Sequence, residues 1–418
     1  MLIFVATNTG TIYLHIYSFN FQANKMNYIL FDPKDIRIRL LPLTYFRPVS
    51  EIRCGILSLK EKWEYYLNQP VSYLTEAYLQ EKYPSFYKEE NIYIDASIFP
   101  DKNLIEQIKN LKKNDLLLSP EKEIIAFYTK ILKYDEINRV GGKEIIYSEK
   151  IDRIKHHFDI FNKNAVQIEK DFELVTQNKV SQPLSQTNTV IGKGKIFIEK
   201  DARIEACVFN TEQGNIYIGK GVNILEGSLI RGPFAALDQS VVKMGSKIYG
   251  GTTLGPKTKA GGEIKNVVFL GNSNKGHDGY LGDSVIAEWC NLGAGTNNSN
   301  LKNNYSNVKL FDYYTQDYIN TGLQFCGMIM GDHSKCSIAT MFNTGTVVGV
   351  NANIFGNGFQ PKFFPSFKWG GQKYVNYRFE KAIEVAKTVM KRRGIEFNQI
   401  EKKLFENVYN LTQKIENQ

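Results

Sequence analysis

Every sixth residue from Ile218 is small or aliphatic: Ile218, Ile224, Ile230, Ala236, Val242, Ile248, Leu254 and Ala260, with Asn266 closing the row. A period of six is neither the alternation of a strand nor the 3.6 of a helix, so this stretch folds as an ordinary version of neither. A glycine follows the aliphatic in Ile218-Gly219 and Leu254-Gly255, and Ile198, Ile204, Val348 and Ile354 keep the spacing on either side. This is the pattern of a hexapeptide β-helix. Each hexad supplies one short strand of a three-sided coil, the aliphatic points into the prism, and the turn after it often needs a glycine backbone. A coil buries its apolar residues only by stacking on its neighbours.

A second register, Val268, Asn274, Tyr280, Ile286, Leu292 and Asn298, begins after a two-residue shift, and Met330, Cys336, Phe342, Val348 and Ile354 form a third. Residues 300–325 carry no hexad and are rich in Asn and Tyr, which predicts an inserted loop or an interrupted coil. Inserted loops on solenoids commonly carry binding function, the alternative being decoration. Within 265–300 a single histidine, His277, a tyrosine, Tyr280, and the small-residue turn Gly293-Ala294-Gly295-Thr296 interrupt the repeat. That stretch is where chemistry is expected.

A chain of 418 residues exceeds what one core usually holds, so two or three domains are expected. The basic excess, 52 Lys plus Arg against 43 Asp plus Glu, is spread along the chain without a Lys/Arg block or a nucleic-acid motif. It suits anionic small molecules such as phosphorylated metabolites, and no nucleic-acid partner is expected. Five cysteines, odd in number and without Cys-x-x-Cys spacing, indicate neither a disulfide framework nor a zinc site and fit a reducing cytoplasm. No apolar run is long enough to span a membrane.

Residues 1–25 lack a basic start, and their apolar run is broken by Thr, Asn and Gly, a poor signal peptide. The pattern begins afresh at Met26, and the expectation is that Met26 is the initiator and 1–25 an upstream leader. From 26 to 185 the hexads are absent. Residues 28–31 and 91–95 read as strands and 58–67 and 101–112 as helices, an alternation that predicts an α/β layer. Its densest signal is Leu41-Pro42-Leu43-Thr44-Tyr45-Phe46-Arg47-Pro48, followed by Arg53, Lys60 and Lys62. Cations around a Pro-punctuated loop suit a polyphosphate or sugar phosphate, while Lys60 and Lys62 read equally as a solvated helix face.

The stretch EIKNVVFLGNSNKGHDGYLGDSVIAEWCNLGAGTNNSN, 263–300, resembles the acetyltransferase half of the bifunctional glucosamine-1-phosphate acetyltransferase and N-acetylglucosamine-1-phosphate uridyltransferase family. LLPLTYFRPVSEIRCGILSLKEKWE and MGDHSKCSIATMFNTGTVVG are similar to sugar nucleotidyltransferases of that general type. The resemblance implies a nucleotidyltransferase-like α/β domain, then a left-handed parallel β-helix assembled as a homotrimer. It makes His277 the general base that takes a proton from the amine of glucosamine 1-phosphate as it attacks acetyl-CoA. Lys265, Tyr280, Asn291 and Asn300 fall at the spacing of residues holding the sugar phosphate, and Ala294 in the GAGT turn near the thioester. An imidazole titrates near neutrality, Lys265 offers a charge for phosphate, and the glycines let N–H groups approach a carbonyl oxygen. Arg231 beside Gly232-Pro233 suits a phosphate ligand or a structural corner, and His333 an acyl-chain or nucleotide contact or a solvent-facing turn.

The chain also departs from that family. Strand 28–31 leads into Asp32-Pro33-Lys34-Asp35 with none of the glycines of the usual nucleotide loop, and Arg47-Pro48 stands where Pro-Lys is usual. Either a diverged site uses Arg47, Arg53 and Lys60, or this domain has lost catalysis. Asp95, ending a strand, is the one candidate for Mg2+. From 366 onward, Phe379, Ala382, Val385, Ala386, Val389 and Met390, then Ile400, Leu404, Val408 and Leu411, form helical stripes that read as capping helices. The expected organisation is thus 1–25 leader, 26–185 diverged α/β domain, 186–365 β-helix and 366–418 helical tail. The expected substrates are a sugar 1-phosphate, an acyl-CoA and, where the first domain is active, a nucleoside triphosphate. The alternatives are a nucleotidyltransferase whose β-helix only assembles the trimer, and a non-catalytic scaffold binding sugar nucleotides.

Overall fold

The computed structural model describes residues 26–130 and 132–416, so the proposed leader lies outside the described residues. The N-terminal layer is a six-stranded mixed sheet of β1 (Asn27–Phe31), β2 (Ser72–Leu74), β3 (Asn91–Asp95), β4 (Asp115–Leu118), β5 (Ile124–Thr129) and β6 (Lys143–Ile146), ordered β2-β1-β3-β5-β4-β6. Strands β2, β1 and β3 are parallel, and β5 is antiparallel to both neighbours. Side chains alternate across the pleat, so Ile29, Phe31 and Tyr93 enter one core while Tyr28, Leu30, Ile92 and Ile94 enter the other. Helices α1 (Lys34–Arg39), α2 (Leu59–Leu67) and α3 (Lys102–Lys109) belong to this layer. The start of α2 is fixed by a capping box in which Ser58 accepts from the Glu61 N–H and Glu61 accepts from the Ser58 N–H, and Asp101 caps α3 by accepting from the Leu104 N–H. The strands at 28–31 and 91–95 and both helices stand where the sequence predicts them.

From Thr189 the chain winds as a parallel β-helix with three faces. The first carries Leu229–Arg231, Lys247–Ile248 and the leading halves of Glu263–Phe269 and Tyr280–Ile286; the second carries their trailing halves, then Met328–Met330 and Thr346–Val348. The third stacks Asn223–Ile224, Val241–Val242, Lys259–Ala260, Asn274–Lys275, Asn291–Leu292 and Lys335–Cys336. The hexad residues Ile218 to Ala260 all point inward and are buried.

The second register departs from expectation. Coil length drops there, since Val242 pairs with Ala260 but Ala260 pairs with Lys275. The shortened coil turns Lys275 and Leu281 inward and leaves Asn274 and Tyr280 outside, while Val268 packs outward into the core shared with the N-terminal layer.

That shared core makes the layers one body. Helix α4 (His157–Thr176) lies on the second face, where Phe172 and Val175 pack against Phe197 and Tyr217 and Asn164 donates to Gly251 O at 2.8 Å. Its Asp171 is buried, accepting from Ile56 N, Leu57 N and Lys62. Gly55, with φ +96°, lies so close that a Cβ there would stand 2.3 Å from Asp171 Oδ2. The segment 300–325 is no free loop. Lys309–Asp312 and Asp317–Asn320 form an antiparallel hairpin whose Leu310, Phe311 and Tyr313 enter the shared core. Helices α5 (Phe379–Lys391) and α6 (Gln399–Ile415) close the same junction, with Phe405 between Phe46 and His333. No helix among the described residues is long and apolar enough to cross a membrane.

Candidate active site

Lys265, Tyr280 and Asn300 meet where the first face turns into the second. Strand Glu263–Phe269 pairs with Tyr280–Ile286 through Lys265 and Gly282. Asn300 Nδ2 donates to Tyr280 Oη at 2.9 Å and to Asp283 Oδ2 at 2.6 Å, while Asn266 Nδ2 donates to Asp283 Oδ1 at 2.8 Å. A Cβ on Gly282 would stand 2.3 Å from Tyr280 Oη, so this glycine makes room for the network. Burial first, then the Asp283 carboxylate, pushes the Tyr280 phenol up to about 12, so it stays a protonated donor at neutral pH. The Lys265 ammonium sits 4.8 Å from the centroid of Phe325, held over the ring face by cation–π attraction.

His277 is exposed on the turn that enters this face, three residues before Tyr280. The GAGT turn stacks on it from the next coil, with Gly295 N–H donating to Asp278 O at 2.9 Å and Ala294 O accepting from Ala339 N at 2.7 Å. The Ala294 N–H makes no hydrogen bond among the described residues. Asn291 lies on the third face, where Asn274 Nδ2 donates to it at 3.3 Å, so within one chain it faces away from Tyr280. Arg231 is exposed on the first face two strands before Lys265, roughly 10 Å off at the usual strand spacing.

The other candidates are built into the junction. His333 does not face solvent: its imidazole is ringed by Phe46, Trp289 and Phe405, and burial holds it well below its usual range. Arg47 is buried and donates to Asp332, to Glu288 at 3.0 Å and to Leu43 O at 2.9 Å, joining the N-terminal layer to the β-helix. Arg53 pairs with Glu61 at 3.1 Å and Lys60 with Glu64 at 2.8 Å. Asp95 accepts from Ser97 and pairs with Arg153 at 3.2 Å, and burial raises its carboxyl to about 6. These residues do not fit a magnesium site: the carboxylate is already committed to a guanidinium, and no group of three His, Cys, Asp or Glu among the described residues converges on a point.

Sequence reasoning missed Asp283, which ties Asn266 to Asn300, and a cation cluster on the third face. Lys243 and Lys259 there adjoin Arg393, whose guanidinium donates to Asn274 Oδ1 at 2.8 Å and to Lys257 O at 2.8 Å. Burial, then Arg393, Lys243 and Arg392, lowers the Lys259 ammonium. The column Gly261, Gly276 in the stacked strands leads from this cluster to His277. A cavity of about 680 Å3 lies between α5 and Trp369, and His277 is exposed.

Residues 28–180 match the family model described as sugar nucleotidyl transferase. A bifunctional sugar-1-phosphate nucleotidylyltransferase/acetyltransferase of Sulfurisphaera tokodaii is 32% identical over 165 residues, 39% of this chain and 36% of that protein. The bifunctional protein GlmU of Methanocaldococcus jannaschii is 27% identical over 297 residues, 67% of each chain. The solved structure of the polysialic acid O-acetyltransferase OatWY aligns with 45% of this chain and 88% of its own at 14% identity, with a TM-score of 0.25. The chain spans less than half the length of several curated relatives it matches, 22%, 36% and 48% in three of them. Residues 28–180 thus match the sugar nucleotidyl transferase family model, joined in this chain to a β-helix, and stretches of the chain are similar to bifunctional nucleotidylyltransferase/acetyltransferases.

Proposed function

We propose that this protein is a sugar-1-phosphate-processing transferase of nucleotide-sugar biosynthesis, with an acyl-CoA-dependent acyltransferase site on the β-helix. The observation that carries this is the hydrogen-bonded cluster of Tyr280, Asn300 and Asp283, with Lys265 on the paired strand opposite Gly282 and His277 exposed three residues before Tyr280. A sugar amine attacking a thioester carbonyl must lose a proton as the C–N bond forms and the thiolate leaves. His277, exposed and unencumbered by an ion pair, is the group that takes it. The Ala294 N–H lies one coil away, where it would stabilise the oxygen that gains charge in the tetrahedral intermediate. Lys265, Tyr280 and Asn300 supply a charge and donors for a phosphorylated sugar, and Lys243, Lys259 and Arg393 a counter-charge for the phosphates of the acyl donor.

An open face is not yet an active site, because nothing in a single chain walls off the other side. The missing wall, and with it a use for Asn291 and Arg231, is assigned to neighbouring subunits of a homotrimer. The test is thiol release from acetyl-CoA with glucosamine 1-phosphate by the protein starting at Met26 and by its His277→Ala variant. Release that falls at least about a hundredfold in the variant supports the reading. No release from a folded, trimeric protein refutes it.

A second reading, nucleotidyl transfer by the N-terminal layer, is favoured by the family match over 28–180. Against full activity stand the missing glycine loop, the committed Asp95 and the burial of Arg47. Domain 26–185 is therefore proposed to be a diverged member, and magnesium-dependent binding of a nucleoside triphosphate would restore it to active standing.

A further inference from the structure

Lys275 occupies a position that the coil elsewhere gives to apolar residues. It pairs with Ala260 in the third face, Leu292 follows it inward on the next strand, and its side chain is fully buried inside the prism. Among the described residues its ammonium forms no ion pair, with Asp278 as the nearby carboxylate. It donates instead to three main-chain carbonyls, Gly261 O at 3.2 Å, Asp278 O at 3.1 Å and His277 O. Two of these belong to the turn that presents His277, and the third to the turn stacked directly beneath it.

Desolvating an amine here is costly unless every N–H finds an acceptor, and three acceptors for three donors satisfy that condition. The carbonyls gain as well. His277 O and Gly261 O have no other hydrogen bond among the described residues, whereas Asp278 O also accepts from Gly295 N. Without Lys275 those two oxygens would have to rotate toward solvent, carrying the turn with them. The turn itself is small, His277 and Asp278 are both exposed, and glycines flank them at 276 and 279, Gly279 with φ +114°. A Cβ on Gly262 would stand 2.9 Å from His277 O, so the two stacked turns are in close contact around the amine.

We propose that Lys275 is a positioning residue, an internal amine that clamps the backbone of the turn bearing His277 and thereby aims the imidazole toward the Tyr280–Asn300 cluster. The inference rests on the reading of His277 as the proton acceptor, but its test does not. Burial also lowers the amine to about 8, so deprotonation near that pH removes one N–H donor and weakens the clamp.

The experiment compares wild type with Lys275→Met, which keeps the apolar stem and removes the donors, and Lys275→Arg, which keeps donors in a longer head. Heteronuclear NMR of the imidazole resonances, with His277 assigned by a His277→Gln variant, is read across pH 5.5 to 9 on full-length protein. The expected result is a native, equally trimeric or monomeric Lys275→Met protein whose His277 resonance is shifted and broadened or doubled. Where acyl transfer is measurable, kcat should fall about tenfold or more with KM within about twofold. A folded Lys275→Met protein with an unchanged His277 resonance overturns the proposal, whether or not the enzyme turns over. If Lys275→Met fails to fold, a Lys275→Arg protein that folds with a displaced His277 resonance supports the clamp, and one with an undisturbed resonance overturns it. Absence of acyl transfer in wild type, with the His277 resonance still responding to Lys275, would remove the acyltransferase reading and leave the clamp standing.

Discussion

Replacing Arg47 by Met separates a structural from a nucleotide-binding role for this residue. Its guanidinium is buried and satisfied by Asp332, Glu288 and Leu43 O, and Asp332 is 1% exposed. In Arg47→Met the Asp332 carboxylate keeps only the Glu288 N–H at 3.2 Å, a buried charge nearly stripped of partners. Burial already raises the Asp332 carboxyl with Arg47 opposing it, so removing the arginine should favour the protonated acid further. Breaking one side of a buried pair costs about 3–5 kcal/mol, most of it the desolvation of the partner left behind. Urea unfolding followed by tryptophan fluorescence should show that loss. The double variant Arg47→Met/Asp332→Leu should regain at least half of it, because no charge is then stranded. A nucleotide role predicts the reverse: Arg47→Met at wild-type stability with triphosphate affinity lost. That result would refute the interdomain reading.

Other expectations follow from single sites. His157 is fully buried, and burial, with His156 second, lowers its imidazole to about 3. Its folded-state value lies below the unfolded one, so its contribution is complete above about pH 6.5 and is lost as pH falls toward 3, at up to about 1.4 kcal/mol per pH unit. Unfolding at pH 7 and 4.5 should show this slope, and His157→Phe should flatten it. Ser58→Ala removes the capping box of α2 and should cost about 1 kcal/mol by urea titration, with Ser58→Gly costing less. Arg393→Ala should raise KM for the acyl donor about tenfold with kcat little changed, an effect lost when a truncated thioester without phosphates is used.

The shape of the chain was legible because a hexad pattern depends only on which residues must avoid water. Ile218 to Ala260 could be placed inside a prism without any knowledge of their neighbours. The capped helices α2 and α3 and strands β1 and β3 were legible for a similarly local reason. The pattern failed where a coil shortened, and the error had consequences: Lys275 and Leu281 turned inward and Tyr280 outward. No local rule sets how many residues a turn spends at a corner; stacking on the coils above and below does.

The candidate site divides the same way. His277, Tyr280, Asn300 and Lys265 were marked by a short continuous stretch, and backbone stacking alone carries them to one corner. Arg47, His333 and Asp95 looked like ligands because a charged or titratable residue beside a turn or strand end is usually accessible. Their fate depended on which distant surface covered them: Asp332 and Glu288 came to Arg47 from the β-helix, Phe405 to His333 from α6, and Arg153 to Asp95 from beyond β6. Hydrophobic periodicity is a one-dimensional property, and the sequence by itself determined the solenoid. Pairing between charges separated by hundreds of residues is decided by packing, and only the tertiary structure showed which cations hold the protein together.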